Sequence, residues 1–277
     1  VYPIRYRCAL VETDRRIGDY VYGVIDNPER HNLYELLAVK RFFRMLDRYE
    51  WSPKRVKHFF RFYQALRFSG INGRTRYKLT PVQAFQFANI FGFVKPDGRR
   101  LIRSVYLFVP RKFSKTTSSA ALAVYDMLFG DNNAQAYVGA NSYDQAKICF
   151  DEIRAIMFDL DAGGRHFRVN REKITFLDHG RDSLIQCLTA NAKTKDGLYA
   201  SLVIMDEYAQ ARNTAGKNGA DLKNVLTTSM GPRREPLVIV ITTASEVVDG
   251  PFKGELDGVM AVLRGEKTND TMFASIF

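Results

Sequence analysis

Two short clusters in this 277-residue chain hold the residue types that phosphate chemistry needs. The first is Pro110-Arg111-Lys112-Phe113-Ser114-Lys115-Thr116-Thr117, between the apolar run LIRSVYLFV (101–109) and a helical pattern at 116–129. A strand, a short loop with Lys-Thr and a helix N-terminus form the layout of a P-loop. Backbone N–H groups and the helix dipole attract phosphate, the lysine reaches the β- and γ-phosphates, and the threonine hydroxyl holds Mg²⁺. Both glycines of the usual G-x-x-x-x-G-K-[ST] pattern are missing: Val109 and Ser114 stand in their places. Read alone, the stretch is better described as a basic loop capped by Lys and Thr. The second cluster is Asp206-Glu207, directly after Leu202-Val203-Ile204-Met205. Four apolar residues ending in two carboxylates make the Walker B pattern. The first carboxylate would hold Mg²⁺ through water, and the second would position and deprotonate the attacking water. Hydrolysis, unlike kinase transfer, needs that second group, and each cluster strengthens the reading of the other. Thr242-Thr243-Ala244-Ser245 ends a further apolar run, where hydroxyls could sense a γ-phosphate or serve as a polar strand end.

The elements around these clusters have a consistent rhythm. Apolar runs at 101–109, 136–140, 201–206 and 236–243 read as buried strands, and MFASIF (272–277) begins another. Helical patterns at 116–129, from Ser142 to about Met157, at 219–229 and after Gly250-Pro251 separate them. Shorter strands near 173–177 and 183–189 flank His179-Gly180, a hairpin signal. Alternating strands and helices predict an α/β fold with a mostly parallel sheet and helices on both faces. Ligands in such sheets bind at the carboxyl ends of strands, which is where both clusters fall.

The first part of the chain reads as helical. Leu36, Val39, Phe43 and Leu46 form one stripe over 33–49. Ser52-Pro53 opens a second helix with Val56, Phe59, Phe60, Tyr63 and Leu66 on its apolar side, and Gly70 is its expected stop. Thr80-Pro81-Val82-Gln83 opens a third, closed by Gly92.

Charge is unevenly distributed. The net charge is +11, yet residues 1–110 hold 21 Lys and Arg against 9 Asp and Glu, so the whole basic excess lies there. Residues 51–80 contain no acid at all. Such asymmetry favours a polyanionic partner, most simply nucleic acid, although a solvated helix face reads the same way. Hydrophobic residues at 46% and charged residues at 26% exclude a disordered or collagen-like chain. No apolar run approaches the roughly 18 residues of a membrane span. Three widely spaced cysteines and four scattered histidines point away from a disulfide framework or a structural zinc site. Neither an apolar leader nor a starting Met is present, as expected of a processed or cut chain.

Together, KLTPVQ (78–83) with FANIFGF (87–93), PRKFSKTT (110–117), AYVGANSYDQA (136–146), DGLYASLVIMDEYA (196–209) and ITTAS (241–245) resemble the ATPase domain of the tailed-phage terminase large subunit, a DNA-packaging motor. The resemblance covers about Tyr22 to Phe277. It implies a P-loop NTPase of the RecA/ASCE type, with a basic helical N-terminal region or lid at 1–75 and an ATPase core at 76–277. ATP and Mg²⁺ would be the ligands. Lys115 would contact phosphates, Thr116 and Asp206 would serve Mg²⁺, and Glu207 would be the catalytic carboxylate. Arg111 matches the family's P-loop arginine, and the whole 110–117 loop would wrap phosphate. Gln83 would read adenine, although Thr80-x-x-Gln83 is equally a capping box. Thr242 and Thr243 would couple hydrolysis to movement.

Ser114 replaces the family's usual glycine before the lysine, which puts loop shape and nucleotide affinity in question. The arginine finger supplied by a neighbouring subunit is not identifiable: Lys193, Lys195 and Arg212 are candidates, and a lysine lacks the planar fork. Two basic clusters compete for DNA. One is the helix face at 54–67; the other is Arg165, His166, Arg168, Arg171 and Lys173, which ring-motor architecture favours. The resemblance further implies double-stranded DNA, a portal protein and a small terminase subunit as partners, a homo-oligomeric ring when assembled, and the host cell cytoplasm as location. The family's nuclease domain would begin where this sequence stops, so the chain is expected to be the motor half alone. A helicase-like ATPase and a nucleic-acid-binding scaffold with an inactive P-loop are the alternatives.

Overall fold

In the computed structural model, residues 6–140, 142–177, 180–189, 197–211, 219–245, 247 and 250–277 are described. In chain order the helices are α1 (Arg7–Thr13), α2 (Arg15–Asp26), α3 (Leu33–Arg48), α4 (Pro53–Ala65), α5 (Pro81–Gly92), α6 (Lys115–Phe129), α7 (Tyr143–Leu160), α8 (Gly219–Thr228) and α9 (Pro251–Arg264). The strands are β1 (Glu50–Trp51), β2 (Phe68–Gly70), β3 (Gly73–Thr75), β4 (Phe93–Val94), β5 (Ser104–Phe108), β6 (Gln135–Ala140), β7 (Phe167–Val169), β8 (Lys173–Phe176), β9 (Leu184–Thr189), β10 (Leu202–Asp206), β11 (Leu237–Thr242) and β12 (Met272–Ile276). No helix among the described residues is long and apolar enough to cross a membrane.

The main sheet has eight strands in the order β12-β5-β11-β10-β6-β9-β8-β7. β10 pairs in parallel with β11 and β6, and β6 with β9. β8 and β7 run antiparallel at one edge, with Thr175 opposite Leu184 and Phe167 opposite Phe176. The expected α/β fold with a mostly parallel sheet is therefore the fold observed. β5 and β10 are not neighbours; β11 lies between them. That inserted strand brings the 242–245 segment between the loop after β5 and the carboxylates after β10.

The chain forms two compact units. The first comprises residues 1–65, 76–106 and 258–277. Its core is aromatic: Phe42 meets Phe85, Phe93 and Trp51 at ring-centroid distances of 5.4–5.6 Å, and Phe59 stacks on Phe91 at 4.4 Å. α4 buries the predicted Val56, Phe59, Phe60 and Tyr63. α5 begins with the predicted capping box, Thr80 and Gln83 bonding reciprocally. Its last residue, Gly92, sits against the Trp51 ring, where an added Cβ would lie 2.2 Å from a ring carbon. Only glycine permits that approach.

The second unit comprises residues 66–75 and 107–257. α6 packs as a run of small residues, with Ser118 to Val124 all buried. β10 is buried along its whole length, as its unbroken apolar sequence predicts. One expectation fails locally. α4 stops at Ala65, not at Gly70, because residues 68–75 form a β2–β3 hairpin closed at Gly73 (φ 95°). The hairpin is tied to α7 by the Ser69 N–H bond to Glu152 (2.9 Å) and an Arg74–Asp159 ion pair (2.6 Å). The 173–177 and 183–189 strands form as expected; His179, part of their predicted turn, lies outside the described residues.

Candidate active site

The loop after β5 is held by backbone geometry that its sequence does not advertise. Lys112 and Ser114 both adopt left-handed conformations, with φ of 63° and 56°. Ser114 thus occupies the glycine place of the P-loop pattern in the conformation glycine favours. Its carbonyl accepts hydrogen bonds from Ser118 N (3.0 Å) and Thr117 Oγ1 (3.0 Å), starting α6. Pro110, Arg111, Lys112 and Ser114 are exposed; Phe113, Lys115, Thr116 and Thr117 are half-buried.

Lys115 reaches across to Glu207 and forms an ion pair with its Oε1. The other carboxylate oxygen, Oε2, accepts from Thr243 Oγ1 (3.1 Å) and Thr243 N (3.3 Å). Glu207 is itself left-handed (φ 49°), and its N–H bonds to Ile241 O (2.9 Å) and Asp206 Oδ1 (3.0 Å). A sharp turn therefore follows β10 and aims the glutamate back at the lysine. Partial burial works to raise the Glu207 pKa, but the Lys115 and Thr243 contacts outweigh it and hold the carboxyl below its ordinary value.

Asp206 has the opposite electrostatics. It is 7% exposed, and burial followed by the Glu207 charge pushes its pKa up to about 6 against the partial relief from Lys115. Among the described residues its Oδ2 has no hydrogen-bond partner. A desolvated carboxylate with an open oxygen is a site that a cation would stabilise. Thr116 supplies a nearby-in-sequence hydroxyl, although no hydrogen bond joins it to Asp206. One carboxylate and one hydroxyl are hard oxygen donors of the kind Mg²⁺ takes when substrate phosphates and water complete its shell. No cluster of three or more acids, histidines or cysteines able to hold a metal occurs among the described residues.

Thr242 links the two loops. Its carbonyl accepts from Val109 N (3.0 Å), at the start of the P-loop, and its hydroxyl accepts from Ala209 N (3.1 Å), in the turn after Glu207. Both threonines are buried. Sequence reading missed what braces this turn from behind. Tyr208 is 1% exposed; its hydroxyl donates to Glu255 (3.1 Å), which also pairs with Lys223, whose ammonium lies 5.2 Å from the Tyr208 ring centre. Tyr208 was visible beside the Asp-Glu pair, but nothing local in sequence connects it to α8 and α9.

The remaining described candidates lie on other elements. Gln83, in the first unit, is 5% exposed and accepts at Oε1 from Thr80 N (3.0 Å) and Thr80 Oγ1 (3.2 Å). Its amide nitrogen has no partner among the described residues. Arg165, His166, Arg168 and Arg171 are exposed and Lys173 half-buried, on and beside the β7–β8 edge hairpin. Asp161 shapes the approach to that hairpin by accepting the N–H groups of Arg165, His166 and Phe167. Lys193, Lys195 and Arg212 lie outside the described residues.

A loop leading into a helix after β5, a strand inserted between β5 and β10, and a carboxylate pair at the tip of β10 are the arrangement of the P-loop NTPase fold with an additional strand. A model of the terminase large subunit ATPase domain matches residues 81–259, well over half of the chain, and the chain belongs to that family. Protein YmfN of Escherichia coli (strain K12) is 33% identical over 91 residues, covering 32% of this chain and 19% of YmfN. The crystal structure of the HK97 bacteriophage large terminase shares the fold, with a TM-score of 0.63 and 22% identity over 80% of this chain and 44% of that one. The N-terminal domain of the DNA packaging ATPase from bacteriophage phi29 gives a TM-score of 0.43 at 15% identity, over 64% of this chain and 91% of that one. The matched regions make up less than half the length of YmfN and of the HK97 terminase.

Proposed function

We propose that this chain is the ATP-hydrolysing motor module of a viral DNA-packaging terminase, which couples hydrolysis to movement of double-stranded DNA into a capsid. The observation that carries the reading is the Lys115–Glu207–Thr243 group at the ends of adjacent strands. Lys115 binds the β- and γ-phosphates of ATP, and in doing so it must exchange its Glu207 partner for phosphate oxygen. Glu207, released from the lysine but still held by Thr243, orients and deprotonates the attacking water. Asp206 and Thr116 would hold Mg²⁺, which supplies charge neutralisation between the phosphates. Arg111 stabilises phosphate from the exposed side of the loop. Gln83 offers its unpartnered amide nitrogen to adenine while its carbonyl keeps the helix cap. An arginine from a neighbouring subunit stabilises charge developing on the γ-phosphate.

The segment at Thr242 and Thr243 transmits the loss of γ-phosphate, since it contacts both the P-loop strand and the Glu207 turn. Arg165, Arg168, Arg171 and Lys173 grip DNA through its phosphates without reading sequence. A portal protein and a small terminase subunit complete the assembly as a homo-oligomeric ring in the host cytoplasm. The test is Mg²⁺-dependent ATP hydrolysis by the purified chain, across a range of protein concentrations, with Lys115→Ala and Glu207→Gln as controls. Turnover that rises faster than protein concentration and disappears in both variants supports a motor completed in trans. Absence of ATP binding by both wild type and Glu207→Gln would favour the inactive-P-loop scaffold instead.

A further inference from the structure

α3 carries Arg41, Arg44 and Arg48 at i, i+3 and i+7, so three guanidinium groups share one helix face. That face borders a cavity of about 80 Å³ within the first unit. Its opposite wall is the turn after α9, which contributes Lys267, Asn269 and Asp270. By the same measure one water needs about 10–15 Å³, so the cavity has room for several waters or one tetrahedral oxyanion. Four cations and one carboxylate line it. The carboxylate is already engaged: Asp270 pairs with Arg48 (2.9 Å) and accepts from the Tyr49 hydroxyl (2.7 Å).

The deepest cation is sparsely partnered. Arg41 is 5% exposed, yet among the described residues its guanidinium makes one hydrogen bond, to Asn269 O (2.8 Å). Its Nε and Nη1 have no protein partner among the described residues and stay open to solvent, so these donors are available to a ligand in the cavity. Arg41, Arg44 and Lys267 form no ion pair among the described residues. Burial, more than any neighbour, lowers the Arg41 pKa to about 10.

We infer that this cavity is a phosphate-binding site, with Arg41 as the buried anchor and Arg44, Arg48 and Lys267 closing over the anion. The ligand class is a phosphate group, whether free, carried by a nucleotide or part of a DNA backbone. The inference does not depend on the ATPase reading, since the cavity uses none of the P-loop residues.

The test removes the P-loop's own phosphate affinity first. In a Lys115→Ala background, thermal melts with increasing inorganic phosphate at constant ionic strength should show saturable stabilisation. Adding Arg44→Ala and Lys267→Ala, both exposed and therefore harmless to folding, should weaken that binding roughly tenfold or more, the loss expected for one charge-assisted contact. Equal stabilisation in both proteins, or none in either, overturns the site. A second arm measures binding of a short DNA duplex to otherwise wild-type chain carrying Arg44→Ala and Lys267→Ala. Weakened duplex binding, with competition by phosphate, identifies a backbone phosphate as the occupant. Unchanged duplex binding alongside lost phosphate binding identifies a free or nucleotide phosphate.

Discussion

Lys115 and Glu207 form an ion pair at the mouth of the sheet, and Thr243 holds the second oxygen of the same glutamate. In this arrangement the group that would bind phosphate restrains the group that would activate water. On the proposed reading, ATP competes with Glu207 for Lys115, so nucleotide entry and release of the base are one event. Neutralising Glu207 should separate these effects. Glu207→Gln is expected to bind ATP at least as tightly as wild type, because Lys115 is set free. Its turnover should fall by roughly 10²–10⁴, the usual contribution of a general base. Lys115→Ala should lose both binding and turnover. Fluorescent-nucleotide anisotropy and single-turnover hydrolysis read the two quantities; weaker ATP binding by Glu207→Gln would refute the competition.

Ser114 tests whether the loop is shaped by its residues or despite them. Left-handed backbone costs a non-glycine residue about 1 kcal/mol or more, of which glycine's larger unfolded-state entropy returns part. Ser114→Gly should raise stability by roughly 0.5–1 kcal/mol and leave ATP binding intact. Ser114→Val, with a β-branched side chain at φ 56°, should destabilise the loop and weaken ATP binding. Urea melts and nucleotide titrations of the pair check both directions. A less stable Ser114→Gly protein would mean that the serine side chain holds the loop by a contact of its own.

Much of this arrangement is legible in the chain, and the illegible parts share a cause. The strands β6, β10 and β11 declare themselves because burial on both faces demands unbroken apolar runs, and β5 through the alternation that buries Val105 and Leu107. Pro81 after Thr80, and Ser142 ahead of Gln145, announce helix starts by local hydrogen bonding alone. β7 hides because it is a three-residue edge strand in which exposed Arg168 interrupts Phe167 and Val169. The β2–β3 hairpin did have a signal, Asn72-Gly73, which the helical pattern upstream obscured. The left-handed turns at Ser114 and Glu207 carry no glycine to mark them. The partners of Glu207 and Tyr208 come from distant segments, Lys115, Thr243 and Glu255, which only folding brings together.

Asp206 should make the protein less stable, not more, at the pH where it works. A carboxyl raised from 3.8 to about 6 binds more protons folded than unfolded. Its neutral form imposes no penalty below about pH 4; as pH climbs through 6 the folded state must carry a buried charge and stability falls. At 1.36 kcal/mol per pKa unit the penalty approaches about 3 kcal/mol at neutral pH. Without added nucleotide, Asp206→Asn should therefore stabilise the protein at pH 7.5 by roughly 2–3 kcal/mol, with the gain vanishing near pH 4. The same variant should lose Mg²⁺-dependent hydrolysis. Denaturant melts at pH 4, 5.5 and 7.5 measure the difference, and a gain independent of pH would show that Asp206 charge is not its source.

Thr243 separates holding the base from binding the substrate. Its hydroxyl and N–H both reach Glu207 Oε2, while the strand behind it is fixed by Thr242 to Val109 and Ala209. On the proposed reading, when Lys115 turns to phosphate, Thr243 still holds and aims the carboxylate. Thr243→Val keeps the shape and the N–H but removes the hydroxyl donor, a charge-assisted bond worth roughly 1.5–3 kcal/mol. If that energy acts mainly on base orientation, kcat should fall by roughly one to two orders of magnitude while the ATP dissociation constant stays near wild type. Thr243→Ser restores the hydroxyl and should recover most of the rate. A Thr243→Val protein that loses ATP affinity in proportion to kcat would place the threonine in substrate binding instead, and failure of serine to rescue would assign its role to packing.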